Sequence, residues 1–159
     1  MNLSFILEHL EEKRQEKAAA LGVLLFKPDC PAVEYSDFEE YCRTENLTIL
    51  QTQSHQLNRG DVIALYPKIY CDLPNDLVYG VAWKERMLDH LTSGPTRSLF
   101  LKGENVQERL MRYKRTLRDR HGKNLIPNMS EQDFLERVIK NLVHVVEDDE
   151  VQTALWILS

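Results

Sequence analysis

The run Leu21-Gly22-Val23-Leu24-Leu25-Phe26 ends abruptly at Lys27-Pro28-Asp29. So short an apolar stretch reads as a buried strand, and proline, which has no N–H to give to a ladder, stops it. The same kind of reading makes strands of Leu47 to Gln56, Arg97 to Leu101 and Asn141 to Glu147. Helical patterns lie between them. Ser36-Asp37-Phe38-Glu39 has capping-box spacing ahead of an inward face of Phe38, Tyr41 and Cys42. Asn58-Arg59-Gly60-Asp61 caps a short helix carrying Val62, Ile63, Leu65 and Tyr66, which Pro67 ends. A further helix runs roughly from Asp76 to Leu91 and breaks at Ser93-Gly94-Pro95. Ser130 caps a helix with Phe134, Leu135, Val138 and Ile139 inside, and a last helix spans Asp149 to Leu158. This order predicts an α+β fold, a ferredoxin-like βαββαβ sandwich with an inserted helical pair. Its four-stranded antiparallel sheet is expected to be covered by helices on one face.

Ahead of the first strand, Leu3, Ile6, Leu7 and Leu10 recur at helical spacing with charged residues on the other side. The chain is therefore expected to divide into an N-terminal helical extension, 1–20, and one domain, 21–159. The extension would dock on the domain or on a partner subunit. Cys30, Cys42 and Cys71 are an odd count without C-x-x-C spacing, which points to free thiols, a cytoplasmic setting and no structural zinc. A net charge of −5 sets up no global pull toward nucleic acid or membrane, and no apolar run has the length of a membrane span.

His144 lies in the last strand among Leu142, Val143, Val145 and Val146. Two readings are open from the strand alone: a core ring satisfied by a hydrogen bond, or a nucleophile or ligand held on a rigid element. The segment Val106 to Arg120 pairs an apolar stripe, Val106, Leu110, Tyr113 and Leu117, with a basic side of Arg109, Arg112, Lys114, Arg115, Arg118 and Arg120, joined by Lys123 just beyond. It is either a helix solvated on its outer face or one that faces phosphate, because guanidinium groups match phosphate oxygens in a planar fork. Nucleic-acid binding is disfavoured, since the charge is local and no aromatic ladder accompanies it. Asp148, Asp149 and Glu150 sit at a helix start, where acids serve the macrodipole more often than a metal. There is no G-x-S-x-G, no Walker loop and no G-x-G-x-x-G. What remains is a lysine after a strand, a strand histidine and a basic helix, the parts a phosphoryl-transfer site requires.

Five short motifs occur in a telling order: Lys27-Pro28-Asp29; Ser93-Gly94-Pro95; Asn105 after the third strand; Asp133-Phe134 followed by Asn141-Leu142-Val143-His144; and Leu155-Trp156. Over roughly residues 21 to 156 the chain thus resembles the nucleoside diphosphate kinase family. The resemblance implies a phosphotransferase that takes a phosphoryl group from a nucleoside triphosphate, with magnesium, onto His144 and gives it to a nucleoside diphosphate or other acceptor. It implies nucleotide contacts from Lys27, Tyr66 and Asn141, a base stacked on Trp83 and Met87, and assembly as a homo-oligomer. The family's earlier phosphate arginine falls at Met111, with Arg109 and Arg112 as nearby substitutes. Other departures follow: Val145 and Val146 stand for a glycine and serine, Gln152 for a supporting glutamate, and Glu131 for an arginine. These motivate an alternative, a catalytically impaired binding or assembly module.

Overall fold

The computed structural model describes residues 20–72, 77–78 and 81–159, so the helix expected over 2–17 lies outside the described residues. In chain order the elements are β1 (Ala20–Phe26), α1 (Val33–Thr44), β2 (Thr48–His55) and α2 (Arg59–Leu65). The two-residue strands β3 (Leu77–Val78) and β4 (Val81–Ala82) follow, then α3 (Trp83–Thr92), β5 (Thr96–Gly103) and α4 (Val106–Arg120). The chain ends with α5 (Glu131–Phe134), continued as a wide helical stretch Leu135–Ile139, then β6 (Val143–Val145) and α6 (Val151–Leu158).

The main sheet has the order β2-β5-β1-β6, and every neighbouring pair is antiparallel. This is the ferredoxin-like βαββαβ arrangement expected. Helices cover both faces of the sheet rather than one, and β1 shows why. Leu21, Val23 and Leu25 belong to one apolar cluster, and Leu24 and Phe26 belong to another on the opposite side. Alternate side chains of a strand point to opposite faces, so a strand apolar at both parities has to be covered twice. The first cluster takes Val62 and Leu65 of α2, Leu88 and Leu91 of α3 and Leu155 and Leu158 of α6. The second takes Phe38 and Cys42 of α1 with all four stripe residues of α4. Burying those four side chains stabilises the α4 contact by about 1.5–3 kcal/mol each. The helix comes close to the sheet because Gly22 has no Cβ; one built there would lie 2.7 Å from Val106 Cγ2.

Local signals held where both halves of a cap are present. Asn58 with Asp61, and Ser130 with Asp133, form reciprocal capping boxes. Three expectations need correction. α1 begins at Val33, and Ser36 lies inside it with its hydroxyl donating to the Val33 carbonyl. The helix expected from Asp76 starts at Trp83, because β3 and β4 pair as a hairpin before it. The last strand shortens to Val143–Val145, because Leu142 turns the chain with φ of 77°. Among the described residues no helix is long and apolar enough to cross a membrane.

Candidate functional site

A tight turn sets His144 on its strand. The Val143 N–H donates to the Asn141 carbonyl at 2.9 Å across Leu142, whose positive φ makes this the strained form of the three-residue turn. Such a conformation costs on the order of 1–3 kcal/mol for a leucine and persists only where its surroundings hold it. They do so from both ends. The Lys27 N–H donates to the Leu142 carbonyl at 2.8 Å, and the Leu142 N–H donates to Asp29 Oδ2 at 3.1 Å. Asp29 Oδ1 accepts from His90 Nε2 at 2.7 Å. Burial pushes the Asp29 carboxyl up, but the His90 hydrogen bond together with the Lys27 ammonium brings it below the usual range. The Lys-Pro-Asp segment thus ends β1 and also clamps the turn that presents His144.

His144 pairs with Leu25 across the strands and is partly buried. Its Nε2 is sealed from solvent without a partner, and among the described residues no hydrogen bond reaches the ring. Tyr66 packs against it with centroids 4.2 Å apart, and the Tyr66 hydroxyl is likewise buried without a partner. Burial, then the charges of Lys114 and Lys27, hold the His144 pKa well below its ordinary value. The ring is therefore neutral at pH 7, with nitrogen lone-pair density available for attack. Val145 and Val146 are both buried, one in each apolar cluster, and Gln152 is exposed. None of these supports the ring.

Lys27 is only 4% exposed. Its Nζ donates to Asn141 Oδ1 at 2.7 Å and to the Ile139 carbonyl at 3.1 Å, both neutral acceptors. Burial first, then the charges of Lys114 and Arg118, bring its pKa down to about 7 against the pull of Asp29. Lys114 is brought down to about 8 by burial and by Arg118. Burial also lowers Arg118, whose Nε is sealed without an acceptor. The charges of Lys114 and Arg118 on α4 therefore bear on Lys27, and those of Lys114 and Lys27 on His144, although the His144 ring itself lies with Leu25 and Tyr66 on the face of the sheet opposite the α4 stripe.

Of the expected site residues, Lys27 bonds to Asn141, Tyr66 packs on His144, and the Lys27 charge bears on that ring. The structure does not bring Arg109 or Arg112 to them. Arg109 donates to the Glu45 carbonyl and lies 3.4 Å from its carboxylate, and Arg112 lies 3.8 Å from the same carboxylate. The physical reason is helical phase. Positions 109 and 112 fall on one flank of α4, and 111, 114 and 118, related by three and four residues, fall on the other. The cations on the flank of Met111 are Lys114 and Arg118, which counting nearest neighbours along the chain missed. Trp83 and Met87 are also corrected. They are 6% and 5% exposed, and Trp83 packs edge-on to Phe134 within the core, so neither presents a face to a base. Glu131 lies exposed in the first turn of α5.

A separate open cleft of about 320 Å³ lies between α3 and the Leu135–Ile139 stretch, lined by Arg86, Asp89, His90, Ser93, Leu135, Ile139 and Lys140. The residues gathered around His144 do not line it.

No family model matches the chain, and no curated protein matches it in sequence. Solved structures do. An Aquifex aeolicus nucleoside diphosphate kinase superposes with a TM-score of 0.61, at 17% identity, over 89% of this chain and 96% of that one. A nucleoside diphosphate kinase from Pyrobaculum aerophilum gives 0.54 at 17% identity, covering 87% and 94%. One from Halobacterium salinarum, in complex with CDP, gives 0.54 at 18%, covering 86% of each chain. At such identities the likeness is one of fold. The chain has the fold of the nucleoside diphosphate kinases.

Proposed function

We propose that this protein is a phosphotransferase that carries a phosphoryl group on His144, taken from a nucleoside triphosphate and passed to a nucleoside diphosphate or another acceptor. The observation that carries this reading is a neutral imidazole, free of hydrogen bonds among the described residues, within reach of the charges of the buried Lys27 and of Lys114. A core histidine kept for packing is ordinarily satisfied, because an unpartnered buried polar atom costs about 1–3 kcal/mol. In the first half-reaction an imidazole nitrogen forms a bond to the terminal phosphorus. The phosphorus–oxygen bond to the bridging oxygen breaks, and the diphosphate leaves with that electron pair. In the second, a terminal oxygen of the acceptor attacks phosphorus, the nitrogen–phosphorus bond breaks, and the neutral ring returns. Lys27 and its neighbouring cations offset the charge that gathers on the phosphoryl and leaving oxygens.

The groups around His144 do not fit a metal held by the protein. The nearby carboxylate, Asp29, is engaged by His90 and Leu142. Among the described residues the one acidic group close enough to share an ion is Glu147, Asp149 and Glu150, and Lys68 pairs with it. Magnesium would arrive on the phosphates it accompanies, and no step above runs through it.

A second reading, a binding module without turnover, draws on Val145, Val146 and the exposed Gln152, which leave the ring unsupported. Incubation with magnesium and γ-labelled ATP separates the two. The phosphotransferase gives an acid-labile, alkali-stable label that disappears in His144→Ala. Nucleotide binding with no label and no transfer to a diphosphate at high protein concentration would leave the module.

A further inference from the structure

Three cations of this site, Lys27, Lys114 and Arg118, repel one another through space. Among the described residues none of Lys27, Lys114 and Arg118 has an ion-pair partner within 4 Å, although other basic residues of α4 do. The Asp29 carboxylate is the acid with a pull on Lys27, and it is already bonded to His90 and Leu142. Lys27 Nζ has given two of its three hydrogens to neutral oxygens, and Arg118 Nε has none to accept from it. Like charges gathered in a partly desolvated place repel one another, and here the packing of α4 and the two Lys27 hydrogen bonds keep them there. A multivalent anion completes such a set, since each phosphate oxygen accepts from ammonium and guanidinium donors. The pair expected to take the base does not offer it a face. Trp83 and Met87 are committed to the core, and a base needs an exposed apolar face on which to stack.

We propose that the site recognises a polyphosphate chain through Lys27, Lys114 and Arg118 and takes little affinity from a base, so that inorganic tripolyphosphate is held about as well as ATP. This deepens the phosphotransferase reading by naming what is recognised, and it concerns binding alone. The test is calorimetric titration of the full chain at low salt with tripolyphosphate, ATP and adenosine. Tripolyphosphate and ATP are expected to agree within about threefold, with adenosine giving no heat. Lys114→Met and Arg118→Gln are each expected to weaken both polyphosphates by about tenfold. In the absence of ligand both variants should melt no lower than the parent, because a repulsive cation has been removed. ATP binding more than about tenfold tighter than tripolyphosphate would overturn the proposal, as would parental affinity in both variants. The ligand series on the unaltered chain decides this even if a variant folds poorly. Tight tripolyphosphate binding without any label on His144 supports this inference and defeats phosphotransfer; no binding of either polyphosphate overturns the inference.

Discussion

Helix α4 has two basic flanks, and they meet different surroundings. On one, Arg109 and Arg112 face Glu45, and Arg120 reaches the buried Glu34 at 2.6 Å and Asp37 at 2.9 Å. His121, just past the helix, joins Glu34 at 2.8 Å. On the other, Lys114 and Arg118 bear on Lys27, and Lys114 on His144, and neither has an ion-pair partner of its own within 4 Å among the described residues. The first arrangement is structural, because acids of α1 and the turn after it anchor α4 over the sheet. The second is electrostatically unfinished. Composition alone does not separate them, since both flanks have the same kinds of residue. What separates them is whether the sequence also supplies the opposite charge within reach.

Changes on the two flanks should therefore have opposite consequences. The largest effect expected is on ligand affinity. Lys114→Met with Arg118→Gln should weaken tripolyphosphate by about 100-fold, while Arg109→Met with Arg112→Met should change it less than about threefold. Equal losses in the two pairs, measured by titration at one ionic strength, would erase the distinction. Next comes stability on the anchored flank. Glu34→Gln removes the buried charge and one of the two acceptor oxygens that Arg120 and His121 use, and should cost about 2 kcal/mol in denaturant unfolding, with polyphosphate affinity kept.

Proton linkage gives a third, smaller test. In the empty site Lys27 and Lys114 stand near 7 and 8, so at pH 8 both are partly neutral. A bound polyphosphate restores their charge, so binding should take up protons and weaken as pH rises from 7 to 9. Titrations in buffers of different ionisation enthalpy measure the uptake, which should fall in Lys114→Met and stay unchanged in Arg112→Met. The folded pKa of Lys27 lies below its ordinary 10.5, so its cost to stability is absent above that value. The cost grows as pH falls and is complete below about 7; thermal melts across that window should show a smaller slope in Lys27→Met. The smallest effect sharpens the comparison from the other direction. Met111→Arg adds a cation to the unfinished flank and should raise tripolyphosphate affinity a few-fold at low salt, roughly the worth of one more exposed charge contact.

Much of this was legible in the sequence. The Leu21 to Phe26 run, stopped by Lys27-Pro28-Asp29, fixed a central strand, and the α4 stripe of Val106, Leu110, Tyr113 and Leu117 is buried throughout. Those signals are local and redundant. Ser36 misled because a capping box needs the helix to begin beside it, and the Glu34 N–H bonding to the Pro31 carbonyl starts α1 earlier. Trp83 and Met87 have helical spacing that suits a core and a base platform equally, and only tertiary packing distinguishes them. Lys114 and Arg118 were readable in principle as the positions three and seven after Met111. Choosing them required knowing which flank of α4 turns toward β6, and that is decided by Val106 and Leu110 settling over Gly22.

The central claim is that an unpartnered, neutral His144 accepts a phosphoryl group, and phosphorus NMR of the full chain after incubation with ATP and magnesium tests it most directly. A phosphoramidate resonance is expected, lost on adding a nucleoside diphosphate and absent in His144→Asn. A spectrum of bound but intact triphosphate, with no phosphoramidate at any incubation time, would contradict it.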